Sequence, residues 1–274
     1  MADVTGTATG VARIAAAFGA AREDGRAALM PYMMGGFPDR NASLAIARAY
    51  AESGADVVEV GVPFSDPLAD GPVIHAAATK ALQGGATLED SLAACRELGE
   101  GVPAVLMVYV NMILALGARR FAGRVAEAGA AGAIVPDLPL EESDEVREAL
   151  QGEGLALVPL VAPTTPPERR RGIARAADGF VYVVAEVGVT GERDELPPAL
   201  AGVVVAVRDE AEVPVAVGFG IGTPEKAALV GEIADGVIVG SRLVRLAGEA
   251  DGGDAAAEAV SEFLRTARQA LVSG

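Results

Sequence analysis

The stretch DVVEVGVPFSDPLADGPVI, from Asp56 to Ile74, begins like a buried strand and ends like an exposed loop. Glu59 is a carboxylate placed among valines near the end of the apolar run. The loop behind it is rich in aspartate, and Pro63, Pro67 and Pro72 restrict its backbone. This order indicates a strand that ends at a site, followed by a loop stiff enough to hold further polar groups over that site.

The beginning of this stretch recurs along the chain, each time as a helix end, a small-residue turn and an apolar run. The four copies are SGADVVEVG at 53–61, AGAAGAIVPD at 128–137, AADGFVYVV at 176–184 and EIADGVIVGS at 232–241. The runs are apolar rather than alternating, which is typical of strands buried on both faces. We therefore predict parallel strands joined by helical crossovers.

Eight strands are predicted, with helices between them. The strands are Ala28–Met33, Asp56–Val60, Ala104–Tyr109, Ala133–Pro136, Ala156–Val161, Gly179–Ala185, Pro214–Val217 and Gly236–Val239. The helices are Ala42–Glu52, Val73–Leu82, Leu88–Leu98, Arg119–Ala128, Glu142–Gln151, Pro167–Ala176, Pro198–Val207, Pro224–Gly231 and Asp254–Leu271. Eight such units in about 250 residues predict an α/β fold, a (β/α)8 TIM barrel. A doubly wound sheet is the alternative, but no G-x-G-x-x-G motif follows the first strand.

Two helical features are additional to a plain barrel. An amphipathic helix is predicted at Val11–Arg22, and the helix after the second strand is doubled. Residues 1–10 are small and polar and are expected to form a disordered tail. No shift in composition divides residues 11–274, so we predict a single domain there.

The composition argues against several classes of function. A net charge of −16 and the absence of tryptophan oppose nucleic-acid binding, which needs basic patches and stacking platforms. The run Arg169–Arg171 is interpreted as a solvated helix face. No apolar run approaches the ~20 residues of a membrane helix. A single His75 and a single Cys95 cannot form a zinc site, although a magnesium site made only of carboxylates stays open.

Glu59 is the first candidate for chemistry. Its neighbours Val58 and Val60 are expected to face the helices, so Glu59 should point into the barrel mouth, where barrel enzymes place their active sites. Burial there would raise its pKa and suit it to acid/base work. A structural glutamate bonded to a neighbouring strand is the alternative. Asp66 and Asp70 lie in the following loop, where ordinary turn chemistry would also explain them.

Three later loops suggest a ligand at the same end of the barrel. The segments GFGIGTP at 218–224 and GSR at 240–242 follow the last two strands and lead into helix N-termini, which favour phosphate. Tight turns would also explain their glycines. The loop EVGVTGERDELPP, at 186–198, is interpreted as a mobile lid, with an ordinary surface loop as the alternative.

With these motifs in place, the sequence resembles the tryptophan synthase α subunit family. The segment VEVGVPFSDPLADGPVI is similar to that family's signature. The other matches follow in chain order: YVNMI, VPDLPLEES, YVVAEVGVTG, GFGIGTPE and VGSRLV. The resemblance as a whole covers nearly the entire chain, roughly Val11 to Leu271. The resemblance implies a TIM-barrel lyase that cleaves indole-3-glycerol phosphate to indole and glyceraldehyde 3-phosphate.

The resemblance also implies roles for individual residues. Glu59 resembles the family's glutamate acid/base, and Asp70 resembles its catalytic aspartate. The implied substrate-binding residues are Tyr182 at the end of the sixth strand, Tyr32 and Met107 in an apolar indole pocket, Thr190 and Gly191 in the lid, and Gly220, Gly240 and Ser241 at the phosphate. The implied partner interface is Asp66, Pro67 and Asn111. No metal or cofactor is implied for this chain.

The partner implied by the resemblance is a β subunit that carries pyridoxal phosphate, in an αββα heterotetramer. The chain departs from the usual family pattern at Ala185 and Glu186 in the lid, at NMI after the third strand, and at Met34-Gly35. These departures concern the lid and subunit signalling more than the chemistry.

Two other functions stay open on the sequence: a free-standing indole-forming lyase of specialised metabolism, and a barrel that mainly activates its partner. One cysteine excludes an intrachain disulfide, and the N-terminus shows no secretory signal. The cytoplasm is therefore the expected location.

Overall fold

Nine parallel strands form one sheet within the residues that the computed structural model describes, which are 8–184, 197–218 and 220–273. The strands are β1 Ala28–Met34, β2 Val58–Gly61, β3 Ala104–Met107, β4 Gly132–Ile134, β5 Ala156–Val158, β6 Leu160–Val161, β7 Val181–Val184, β8 Val215–Gly218 and β9 Gly236–Val239. Their order across the sheet is β5-β4-β3-β2-β1-β9-β8-β7-β6. Because β5 and β6 are consecutive in the chain, the sheet curls into a nearly closed barrel. The predicted α/β TIM barrel is confirmed.

The predicted fifth strand, Ala156–Val161, is divided at Pro159. β5 pairs with β4, and β6 pairs with β7. Proline has no N–H to donate to a ladder, so the chain changes partner at this residue. The carbonyl of Pro159 still accepts the N–H of Tyr182 at 3.0 Å. One kinked strand thus joins the two ends of the sheet.

Helices surround the strands in the expected alternation. They are α1 Gly10–Glu23, α2 Arg40–Glu52, α3 Pro72–Gln83, α4 Leu88–Leu98, α5 Val110–Leu116, α6 Ala118–Glu127, α7 Asp144–Gly152, α8 Pro167–Arg175, α9 Leu200–Arg208, α10 Pro224–Gly231, α11 Ser241–Glu249 and α12 Gly253–Ser273, with a 3₁₀ turn at Leu140–Glu142. The N-terminal helix and the doubled helix after β2, α3 with α4, are both present as predicted. Of the predicted tail, residues 1–7 lie outside the described part of the chain, and Thr9 caps α1 by accepting the N–H of Ala12 at 3.2 Å.

The barrel interior and the outer layer are separate hydrophobic clusters. The outer cluster contains Val58 and Val60 and fills the space between strands and helices. The inner cluster combines inward strand residues with Ile14, Phe18 and Ala21 of α1. α1 therefore closes the N-terminal end of the barrel, which leaves the C-terminal ends of the strands as the open end.

Several strand boundaries differ from the prediction by a few residues, and those at the start of β2 and the end of β3 lie next to polar contacts or a helix cap. β2 begins at Val58 rather than Asp56; the Asp56 N–H donates to the Leu29 carbonyl at 2.9 Å, while its carboxylate accepts the Leu29 N–H at 2.7 Å and pairs with Arg26 at 2.6 Å. β3 ends at Met107 rather than Tyr109, which is the N-cap of α5. α5 is a helix that the sequence did not predict.

Candidate active site

Glu59 lies in β2 and faces the open end of the barrel. Its side chain is 2% exposed, and its Cα is in register with Tyr32 of β1 and Val105 of β3. The carboxyl Oε1 is buried without a hydrogen-bond partner among the residues described. Burial, together with the negative charge of Asp70, raises the pKa of Glu59 to about 8. A free oxygen argues against a purely structural glutamate, which would be bonded to its neighbours.

Asp70 lies at the end of the proline-rich loop, directly before Gly71, the N-cap of α3. Burial raises the pKa of this carboxyl, while a hydrogen bond from Tyr109 and the nearby His75 act to lower it. The two carboxylates thus occupy different environments. Among the described residues Glu59 Oε1 has no donor, whereas the Tyr109 hydroxyl lowers the pKa of Asp70, and such a difference allows two acids to take different roles.

A cavity of about 210 Å³ contains both carboxylates. Six of the other predicted substrate-binding residues line it as well: Tyr32, Met107, Tyr182, Gly220, Gly240 and Ser241. Ile74, Leu160 and Ile238 add apolar surface. A larger cavity of about 1070 Å³ lies at the closed end, between α1 and α12. Barrel enzymes use the C-terminal ends of their strands, so the smaller cavity is the candidate active site.

Two tyrosines reach the cavity through gaps left by glycine. A Cβ added to Gly61 would lie 2.0 Å from the hydroxyl of Tyr32, and one added to Gly218 would lie 2.2 Å from the hydroxyl of Tyr182. Burial and the two carboxylates raise the pKa of both tyrosines well above its ordinary value. Both hydroxyls therefore stay protonated and can donate hydrogen bonds at neutral pH.

Another wall of the cavity includes the N-terminus of α11, which begins at Ser241 with Gly240 as its N-cap. The first N–H groups of a helix have no partner within it and favour anions. Gly220, Gly240 and Ser241 all line the cavity. This wall can hold a phosphate group.

The remaining predicted residues lie outside the cavity or outside the described ranges. Thr190, Gly191 and the departures Ala185 and Glu186 fall in residues 185–196, which are not described. The predicted interface residues are on the surface: Asp66 and Asn111 are exposed and Pro67 is half-buried. Within the parts of the chain that are described, no group of three His, Cys, Asp or Glu residues could hold a metal ion.

Sequence reasoning missed Tyr109. Its ring stacks on Phe64 with centroids 5.0 Å apart, and its hydroxyl accepts the N–H of Ala69 at 3.0 Å. These contacts join the loop after β2 to the start of α5. The motif YVNMI contains the residue, but nothing in its local pattern indicates a contact to a loop forty positions away.

A family model of tryptophan synthase alpha chains matches residues 18–272. The chain belongs to this family. It is 48% identical over 240 residues to the tryptophan synthase alpha chain of Carboxydothermus hydrogenoformans, covering 86% of this chain and 89% of the relative. It is 45% identical over 261 residues to that of Roseiflexus sp., covering 94% and 100%. A structure of Mycobacterium tuberculosis tryptophan synthase superposes with a TM-score of 0.89 and 37% identity, covering 98% of this chain and 100% of that chain.

Membership of the tryptophan synthase alpha chain family makes the chain a carbon–carbon lyase of tryptophan biosynthesis. The family's reaction is the cleavage of indole-3-glycerol phosphate to indole and glyceraldehyde 3-phosphate. Its α chains carry no cofactor of their own, and pyridoxal phosphate belongs to the β subunit with which they act. The comparisons give no support to a free-standing lyase or to a barrel that only activates a partner.

Proposed function

We propose that Glu59 and Asp70 carry out this cleavage by dividing its proton transfers between them. The observation that carries the proposal is the position of Glu59: it is buried, its Oε1 has no hydrogen-bond partner in the described part of the chain, and it shares a cavity with a second carboxylate. With a pKa of about 8, Glu59 holds its proton at neutral pH. It is therefore ready to act first as an acid.

In the first step, Glu59 donates its proton to C3 of the indole ring, which becomes an indolenine. The positive charge that develops on the ring nitrogen is stabilised by Asp70, which accepts the N–H. Glu59, now a carboxylate, takes the proton of the glycerol hydroxyl on the carbon attached to C3. The C–C bond then breaks, its electrons return to the ring, and the hydroxyl carbon becomes the aldehyde of glyceraldehyde 3-phosphate. One proton is given and one is taken, so Glu59 ends as it began.

The cavity wall orients the substrate for these steps. Met107, Ile74 and Leu160 form an apolar surface for the ring, and the helix N-terminus at Gly240–Ser241 suits the phosphate. The two ends of the substrate would thereby be fixed, with the bond to be broken between them and beside the carboxylates. Fixing a reacting group in this way supplies a large part of many rate enhancements.

The proposal is tested by following indole release from indole-3-glycerol phosphate, with and without a β subunit. Wild-type protein should release indole without the β subunit, and should release it faster when the β subunit is present. A chain that releases no indole in either condition would overturn the assignment of the chemistry to this cavity. Release that the β subunit does not change would favour independent action.

Gly220→Val is expected to weaken the binding of glycerol phosphate by about tenfold, or 1.4 kcal/mol. The valine side chain would project into the phosphate end of the cavity, where backbone N–H groups must approach the anion closely. Calorimetric titration measures the affinity. Gly202→Val is the control, because a Cβ at Gly202, on the exposed side of α9, meets nothing within 4 Å. Equal affinities of the two variants would count against the phosphate site.

We also propose that the β subunit covers the surface formed by the loop after β2 and the start of α5. Asp66, Pro67 and Asn111 lie on this surface, and the Ala69–Tyr109 hydrogen bond holds its two parts together. Leu68 is 88% exposed and Leu114, one turn beyond Asn111, is 57% exposed. Large exposed apolar side chains on two segments joined by a hydrogen bond are consistent with a surface that a partner buries. An αββα assembly would cover them.

Pro67→Ala is expected to change the isolated activity little and to reduce stimulation by the β subunit. Alanine frees the backbone of a loop that ends at Asp70, so a partner that grips the loop would restrict Asp70 less. The ratio of turnover with excess β subunit to turnover without it is the measurement. Equal stimulation of Pro67→Ala and wild type would contradict coupling through this loop.

Two broader assignments remain proposals. We place the protein in the cytoplasm, supported by its biosynthetic family and its single cysteine. Across the described residues, no helix has the length and apolar character needed to cross a membrane. We also assign residues 11–274 to one domain, supported by the single sheet that its strands form.

A further inference from the structure

The catalytic loop has few attachments to the barrel. Among the described residues, only Tyr109 forms hydrogen bonds from outside the loop to residues 63–70. The Ser65 hydroxyl bonds within the loop, to Asp66. Proline at positions 63 and 67 removes two backbone donors. The position of Asp70 therefore depends on very few contacts.

Tyr109 supplies three of these contacts from one side chain. Its ring stacks on Phe64 near the start of the loop, with an interplanar angle of 24°. Its hydroxyl accepts the N–H of Ala69 at 3.0 Å and lies close enough to the carboxylate of Asp70 to lower the pKa of that group. The side chain is buried, and tyrosine has only two side-chain torsions, so few alternative positions compete with this one.

The base of Tyr109 is itself fixed. The residue follows β3 and caps α5, and the next N–H, that of Val110, donates to the carboxylate of Asp137 in the loop after β4 at 2.9 Å. The tyrosine is thus tied to two neighbouring barrel positions. A positioning group requires a fixed backbone and a side chain that contacts the segment it holds, and Tyr109 has both.

We infer that Tyr109 is a positioning residue whose hydroxyl holds the Ala69–Asp70 segment at the cavity, so that the Asp70 carboxylate faces the ring nitrogen of the substrate. The inference rests on the role proposed for Asp70. It predicts that the hydroxyl matters more than the ring, since the hydroxyl contacts the Ala69–Asp70 segment whereas the ring stacks on Phe64.

The charges around this pair decide the expected pH dependence. Asp70 is influenced by burial, by the Tyr109 hydroxyl and by His75 of α3, while Glu59 and Asp137 are the other carboxylates nearby. The hydrogen bond favours the charged carboxylate and lowers its pKa. Loss of the hydroxyl would raise the pKa of Asp70. Because the proposed reaction needs Asp70 ionised, activity would then begin at a higher pH.

Tyr109→Phe is the test, because it keeps the ring and its stacking and removes only the hydroxyl. Turnover should fall by about 10- to 100-fold, as expected for a misplaced reacting group, with little change in glycerol phosphate affinity. The acidic limb of the kcat/KM profile should move to higher pH. Tyr50→Phe is the matched control: it also removes a buried hydroxyl, which donates to the Tyr32 carbonyl at 2.9 Å, and its acidic limb should stay at the wild-type pH.

A double-mutant cycle with Asp70→Asn separates the possible failures. If Tyr109 acts through Asp70, Tyr109→Phe should lower turnover much less in the Asp70→Asn background than in wild type. Full additivity of the two substitutions, or an acidic limb unmoved by Tyr109→Phe, would overturn the positioning role while leaving Asp70 in the reaction. Near-wild-type turnover of Asp70→Asn would overturn the role proposed for Asp70 and this inference with it.

Discussion

Glu59→Gln is expected to lower the turnover number for indole release by about 10²–10⁴-fold. Glutamine has nearly the shape of a protonated glutamate, but it can neither give a proton to C3 of the ring nor take one from the glycerol hydroxyl. Both proton transfers are therefore lost together. Because the side chain is 2% exposed and the substitution is nearly isosteric, the cavity should keep its form. Affinity for glycerol phosphate should stay close to that of wild type.

Glu153→Gln is the control for this experiment. Glu153 is exposed at the end of α7, and its replacement makes the same chemical change, from carboxyl to amide, without entering the cavity. Turnover is measured by indole release at pH 7, with folding checked by circular dichroism. If Glu59→Gln turned over substrate nearly as fast as Glu153→Gln, Glu59 would be a buried structural residue and the acid/base would have to be sought elsewhere.

The barrel could be predicted because its strands are buried on both faces. Runs such as Gly236–Val239 are apolar without alternation, and each is preceded by a small-residue turn, so the strand and helix order follows from local patterns. The closed end of the barrel could also be predicted, because the periodicity of Val11–Arg22 indicates a helix. That helix supplies Ile14 and Phe18 to the inner cluster. Local patterns were sufficient where the structure depends only on whether a residue is buried, and not on which particular residue it contacts.

The fold differed from the prediction at positions whose structure depends on a contact with a residue distant in the sequence. Asp56 looks like the first residue of a strand, and its N–H donates to the Leu29 carbonyl at 2.9 Å, but the Leu29 N–H donates to the Asp56 carboxylate rather than to a backbone carbonyl. Pro159 was visible in the sequence, yet only the barrel closure explains why the strand divides there rather than ending. α5 is seven residues long, too short for a helical period to separate it from the preceding strand.

The residues of the candidate site also divide into those that local patterns predict and those that need further information. The inward direction of Glu59 follows from strand alternation, and the phosphate wall follows from glycines before helices. Asp70 and Tyr182 needed the family resemblance. Tyr32 was predicted as an apolar wall, which its ring is, but its hydroxyl lies over Gly61 beside the carboxylates, and that requires knowing that β1 and β2 are adjacent in register.

The Glu59→Gln variant is also expected to become more stable relative to wild type as the pH rises, even though the variant is inactive. The ordinary pKa of the group is 4.5 and its pKa in the folded protein is about 8, so folding favours the protonated form. The contribution of protonated Glu59 to the free energy of unfolding is fully present below pH 4.5 and is lost as the pH rises through 8. Glutamine does not ionise and does not lose it. The gap between the two pKa values sets an upper bound on the order of 5 kcal/mol on the difference.

Urea unfolding of wild type and Glu59→Gln, followed at several values between pH 5 and 9, measures this difference. The free energy of unfolding of the variant, relative to wild type, should rise with pH up to about 8 and then level off. Glu153→Gln, an exposed replacement of the same kind, is measured beside it as the control. A constant offset for Glu59→Gln would mean that Glu59 ionises in the folded protein as readily as in the unfolded chain. In that case it would be a carboxylate at neutral pH and could not give the first proton. Activity and stability would thus test the same property by independent routes, since the burial that lets Glu59 hold a proton at neutral pH is also what makes its ionised form costly.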